Sequence, residues 1–170
     1  VSPDANPMRP AVVAGALPGA AAPLAPPPES WASQPEGAVA IWTLHMEPGA
    51  QWTLPAAQGQ GTRRMLYFFG GDSLRVGPQD VGQHAALELV AGQDWPLTNT
   101  GAAPVECLLL QGQPIGESVA QYGPFVMNTQ AEIMQAMQDY RRTQFGGWPW
   151  PDDAPVHGRD PARFARHPDG

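Results

Sequence analysis

The side chains able to do chemistry are few and thinly spread. His45 and Glu47 stand two residues apart at the end of an apolar run, so on a strand they share a face. With His84 they would make an improvised two-histidine, one-carboxylate set of the kind that holds a divalent transition metal. The plainer reading makes His45 and His84 ordinary strand residues facing solvent or a barrel mouth, and no catalytic residue is assigned. Cys107 is the single cysteine, so a disulfide framework is excluded. A nucleophilic thiol needs a nearby base and an electropositive setting. Here Val105, Leu108 and Leu109 are apolar and Glu106 belongs to the opposite strand face, so a buried, inert thiol is expected. Tyr67, Phe68 and Phe69, with Trp42, Trp52 and Trp95, could line a pocket for a planar ligand, but core filling is the expectation. Asp152, Asp153, His157, Asp160 and His167 are too irregularly spaced to argue for a metal. A solvated loop paired to Arg159 and Arg163 is expected there, with Trp148, Trp150 and Phe164 clamping the tail to the body.

Bulk properties narrow the classes further. The 170 residues suffice for one domain with a proper core. The net charge is −7, and all nine basic residues are arginines. A nucleic-acid surface needs clustered cations that displace counterions. Only Arg63–Arg64, Arg141–Arg142 and a loose group of Arg159, Arg163 and Arg166 approach one another, so direct nucleic-acid binding is not expected. No run reaches the ~18 apolar residues of a membrane span. Residues 1–30 hold eight prolines and no basic leader, so they do not read as a signal peptide, and a cytoplasmic location is expected. The start at Val1 rather than Met leads us to expect a processed, cleaved or truncated product.

The elements that must position these groups are short. With 19 glycines and 21 prolines, the apolar runs are cut into strand-sized pieces by turns. Ala11–Leu17, Val39–Met46, Arg64–Phe69, Ser73–Val76, His84–Val90, Trp95–Leu97 and Val105–Leu110 read as strands. In His84–Val90, Ala85, Leu87 and Leu89 take one face. Short strands with turns every ten residues or so imply an all-β antiparallel sandwich or barrel. The period then changes. Thr129 and Glu132 form a capping-box pair, and Ile133, Ala136, Met137 and Tyr140 make one apolar stripe at helical spacing. Arg141 and Arg142 suit the last turn, and Gly146-Gly147 is expected to end the helix. The organisation expected is a 1–30 Ala/Pro-rich lead-in, a 31–120 barrel, a 121–146 segment with the helix, and a 147–170 Trp/Pro/Arg tail.

The string Gln121-Tyr122-Gly123-Pro124-Phe125-Val126-Met127-Asn128-Thr129, followed by the capped helix, resembles the C-terminal signature of the pirin family. Gly112–Glu117 resembles the lead-in to that signature, and Leu44–Gly77 is similar to the family's second cupin barrel. The resemblance implies a jelly-roll cupin fold and a bacterial, two-barrel parent. It further implies that a metal, usually iron, is held by three histidines and a glutamate in an N-terminal barrel. A cupin metal site wants a His-x-His pair soon after a Pro-Gly turn, then a Glu and a later His. After Pro48-Gly49 this chain reads Ala50-Gln51-Trp52-Thr53-Leu54-Pro55-Ala56-Ala57, without imidazole. The chain is therefore expected to be a non-catalytic barrel without a cofactor of its own, supporting a parent similar to quercetin 2,3-dioxygenases. The rival readings are a protein-interaction module of a transcriptional-cofactor kind and an independent small-molecule cupin. The expected partner is the N-terminal half of the same protein, or a second copy, met through Ile133, Met137 and Tyr140.

Overall fold

Alternation decides where each strand goes. In Ala40–Met46 the residues Ala40, Trp42, Leu44 and Met46 are buried while Ile41, Thr43 and His45 are half-buried, and this strand lies inside a five-stranded antiparallel sheet. The computed structural model describes residues 7–150. The larger sheet runs in the order β1 (Met8–Ala14), β2 (Ala40–Met46), β9 (Val105–Gly112), β4 (Arg63–Gly70), β7 (Ala85–Glu88). A four-stranded sheet runs β3 (Gln51–Leu54), β8 (Trp95–Asn99), β5 (Leu74–Val76), β6 (Gln79–Val81). Among the described residues no pairing joins the two sheets into a closed barrel, so the architecture is an antiparallel sandwich.

The core lies between the sheets. Trp42, Leu44, Leu66, Phe68, Cys107 and Leu109 from the larger sheet join Leu54, Leu74, Val76 and Leu97 from the smaller in one cluster. Burying each such Leu contributes about 2 kcal/mol. Phe68 fills this core, whereas Tyr67 and Phe69, also expected to fill it, point outward and are 38% and 52% exposed. The reason is the period of two: three consecutive aromatics cannot share a face.

The expected strands form with shifted ends. The lead-in strand spans Met8–Ala14 rather than Ala11–Leu17, because Gly15 takes φ +77° and turns the chain. It pairs antiparallel with β2, so part of the lead-in is the edge of the larger sheet. Strands β3 and β6 were not anticipated. Their four and three residues carry too little alternation to stand out, and they exist because β8 and β5 supply hydrogen-bonding edges.

The chain divides into two compact units, Val1–Ile115 and Gly116–Gly170. In the described part of the second, β10 (Ala120–Tyr122) and β11 (Phe125–Met127) form a hairpin through the Gly123-Pro124 turn, and α1 (Gln130–Thr143) lies against it. The capping box is complete: the Thr129 hydroxyl accepts from the Glu132 N–H at 3.2 Å, and the Glu132 carboxylate accepts from the Thr129 N–H at 2.7 Å. Ile133 and Ala136 are buried and Met137 is half-buried. Tyr140 is 42% exposed and meets Phe125 and Phe145 edge-on, at 6.0 and 5.3 Å between ring centres. The helix ends earlier than Gly146-Gly147, at Thr143, because Gln144 takes the left-handed conformation at φ +52° and its N–H closes on the Tyr140 carbonyl. Arg142 pairs with Asp139 at 2.8 Å.

Replacing Thr129 by Ala removes the cap and is expected to cost about 1 kcal/mol. In a domain of this size that lowers the melting temperature by roughly 2–4 °C. An unchanged thermal transition would show that the hairpin alone sustains the helix.

Candidate functional site

The stretch in which an imidazole pair would be sought is held shut by the protein's own groups. Strand β3 ends at Leu54, and the next three residues are Pro55, Ala56 and Ala57. The Pro55 carbonyl accepts from the Arg64 Nη1 at 2.7 Å. The Ala56 N–H donates to Asp94 Oδ1 at 2.7 Å, and the Ala57 N–H donates to the Ala91 carbonyl at 2.7 Å.

Arg64 is the unexpected residue of the fold. It is 2% exposed, because Arg64, Leu66 and Phe68 take the inner face of β4 while Arg63, Tyr67 and Phe69 take the outer. Its Nε and Nη2 both donate to Gln111 Oε1, at 2.9 and 2.5 Å, and Gln111 Nε2 donates onward to the Ala38 carbonyl at 3.0 Å. Burial pulls its pKa down, and the Asp94 carboxylate pushes it back up. One guanidinium thus ties β4, β9 and the end of β3 together. The signal was present in the run Arg64–Phe69: an Arg in phase with Leu66 and Phe68 must point where they do.

His45 lies on the outer face of the same sheet. Its Nδ1 is 2.6 Å from Glu106 Oε1 and its Nε2 is 3.1 Å from Glu47 Oε1, and Arg9 Nη2 donates to Glu47 at 3.2 Å. Register produces this chain of charge, since Arg9 faces His45 on β1–β2 and His45 faces Glu106 on β2–β9. Glu106 has room to reach across because β4 opposes it with Gly70. A Cβ there would stand 2.8 Å from that of Glu106. The hydrogen bond to Glu106 and then that to Glu47 raise the His45 pKa above its ordinary 6.5, against smaller opposing effects of burial and Arg9.

The set of His45, Glu47 and His84 does not assemble. His84 turns away, with Nε2 3.2 Å from the Gly71 carbonyl and its ring edge-on to Phe68 at 5.5 Å, and Glu106 takes the place beside His45 instead. The carboxylates of Glu47 and Glu106 approach opposite ring nitrogens, so they do not converge with the imidazole on one point. Among the described residues, no group of three or more His, Cys, Asp or Glu is placed to hold a metal. Cys107 is buried, and burial, aided by the charge of Glu106, pushes its thiol up to about 12. Trp42 is buried, and Trp52 and Trp95 pack against the core. Asp152, Asp153, His157, Arg159, Asp160, Arg163, Phe164, Arg166 and His167 lie outside the described residues. No described helix is long and apolar enough to cross a membrane.

Two outcomes test this arrangement. Because the folded pKa of His45 is raised, its stabilisation is complete below the unfolded value and is lost as pH rises through the folded one. The gap in melting temperature between wild type and His45→Gln should therefore be wider at about pH 6 than at about pH 9. Equal gaps would mean that the imidazole is uncharged in the fold. Arg64→Ala removes a buried side chain, leaves the half-buried Gln111 and Pro55 oxygens without their donor and opens a void, and should cost about 3 kcal/mol or more in urea unfolding. A loss under about 1 kcal/mol would show that the guanidinium is not holding the three strands.

Comparison with known proteins closes the identification. The family model described as the pirin C-terminal cupin domain matches residues 41–146. A pirin-like protein from Solanum lycopersicum is 52% identical over 99 residues, covering 56% of this chain and 33% of its own length. Human pirin is 34% identical over 105 residues, covering 59% of this chain and 35% of its own. The crystal structure of a quercetin 2,3-dioxygenase from Acinetobacter baumannii superimposes with a TM-score of 0.63 at 28% identity, covering 84% of this chain and 46% of that one. The chain thus spans about a third of the length of these curated relatives. With well over half of its residues inside the matched domain and the sandwich that the match implies, this chain belongs to the pirin family, as its C-terminal cupin domain.

Proposed function

We propose that this chain is the non-catalytic cupin barrel of a pirin-type protein, and that it supports a metal-binding barrel, with iron or another divalent transition metal, in the N-terminal half. The parent on this reading is a metal-dependent oxygenase similar to quercetin 2,3-dioxygenases. The observation that carries it is the Arg64 guanidinium bonded to the Pro55 carbonyl in the stretch where a cupin would present imidazoles. A fixed cation among neutral acceptors is the wrong company for a second cation, and the residues present do not fit a metal. A sandwich whose interior is packed with Trp42, Leu44, Leu66 and Phe68 contributes surface and rigidity rather than a reacting centre.

A second reading, a protein-interaction module of the transcriptional-cofactor kind, draws on exposed apolar side chains of the second unit. Tyr122, Val126, Met134 and Phe145 are each more than half exposed. Ile133 and Ala136 are buried, so the outward part of that unit is formed by these residues rather than by the full helix stripe. An independent small-molecule cupin is disfavoured by the filled interior.

Elemental analysis of the purified, tag-free chain after incubation with ferrous iron or zinc should find well below one metal per chain. One tightly held metal, lost on His45→Ala, would overturn the proposal. Oxygen uptake with quercetin should likewise be absent from this chain and present in the two-barrel protein.

A further inference from the structure

Between β1 and β2 the chain runs through residues 15–39 without a strand. The middle of this connection, Pro23-Leu24-Ala25-Pro26-Pro27-Pro28, has proline at four of its six positions. Each proline ring fixes φ at about −65°, and each residue before a proline is driven to extended ψ, which applies to Ala22, Ala25, Pro26 and Pro27. Together these restrictions define the polyproline II helix, which has three residues per turn and no internal hydrogen bonds. Residues 21–27 accordingly lie in neither helix nor strand.

The run is held at both ends and bare in the middle. Before it, the Ala20 N–H closes a turn on the Leu17 carbonyl at 3.1 Å, with Gly19 at φ +83°, and Leu17 is buried in the core. After it, the Ser30 and Ser33 hydroxyls donate to the Pro27 and Pro28 carbonyls at 2.7 and 2.6 Å. Trp31 Nε1 then donates to the Gln113 carbonyl at 2.8 Å, just beyond β9. Residues 24–29 are all exposed. Leu24 is 94% exposed, the most of any large hydrophobic side chain among the described residues.

A single leucine in water is ordinary. One set inside a tethered proline run differs, because the run is already extended and its ends are fixed, so docking it costs little further ordering. We propose that residues 23–28 are a displayed polyproline II ligand, whose partner is a protein domain with a groove lined by aromatic side chains. Proline rings and the Leu24 side chain fill the spaces between such rings, and the carbonyls of the run accept from indole or phenol donors. The charge adjoining the run in sequence is Glu29, and no arginine lies between Arg9 and Arg63. The groove it fits is therefore neutral or basic at that end, and not one that reads a neighbouring arginine through a carboxylate.

The test titrates the isotope-labelled chain with a recombinant WW domain and a recombinant EVH1 domain, both of which take proline-rich segments in aromatic grooves, and follows amide resonances. At least one domain should shift Leu24 and Ala25 saturably. Pro26→Ala with Pro27→Ala should weaken that binding at least tenfold, and Leu24→Ala at least threefold, each with the thermal transition of the unaltered chain. Pro78→Ala, at an exposed proline in the turn between β5 and β6, should leave it within twofold. Shifts confined to residues outside 21–30, or an affinity unchanged in both variants of the run, would overturn the proposal. So would the absence of saturable shifts with either domain at millimolar concentration.

Discussion

A strand presents alternate side chains to opposite faces, and the joint register of β2, β9 and β4 is the constraint from which the rest follows. Leu44 faces Cys107, which faces Phe68, and one residue away His45 faces Glu106, which meets Gly70. A slip of one position would carry Leu44, Leu66, Leu109 and Phe68 into water and bring charges into the core. The core and the charged cluster around His45 are two consequences of one alignment. The irregularity between Phe68 and Gly70 is placed where Glu106 needs room.

Arg64 shows how a fold that has no metal ligands in one region closes that region. A buried guanidinium must be solvated by the protein, and here a side-chain amide and a main-chain carbonyl do so, with Asp94 near enough to offset some of the burial. Those same bonds join the two sheets at the end of β3. The arrangement has the geometry of a structural clasp that fixes strands. The outer cluster around His45 differs because an imidazole changes charge near neutral pH and a guanidinium does not, so its strength follows pH while that of Arg64 does not.

The second unit is ordered on a smaller scale. Its helix is started by the reciprocal bonds of Thr129 and Glu132, lies against the hairpin of β10 and β11, and is closed by the contacts among Phe125, Tyr140 and Phe145. Bonds from Asn128 Nδ2 to Glu117 at 2.8 Å and to the Ser118 carbonyl at 2.9 Å tie the start of the helix to the segment before the hairpin. Most of these interactions are local, which is why the capping signal was readable from four residues.

The sequence by itself determined the strands with clear alternation, the helix and its cap, and the absence of imidazoles after Pro48-Gly49. Each depends on neighbours within a few residues, where period and turn chemistry act. It also carried the GPFVMN string that marks the family. What it could not decide was who faces whom. Strand β3 depends on the edge of β8, about 40 residues away along the chain. The replacement of His84 by Glu106 beside His45 depends on pairing β2 with β9 rather than with β7. The burial of Arg64 was legible as phase and not as fate, because only the approach of Gln111 and Pro55 makes a charge tolerable there. Local order is written in spacing along the chain; the site belongs to register between strands, which tertiary packing alone selects.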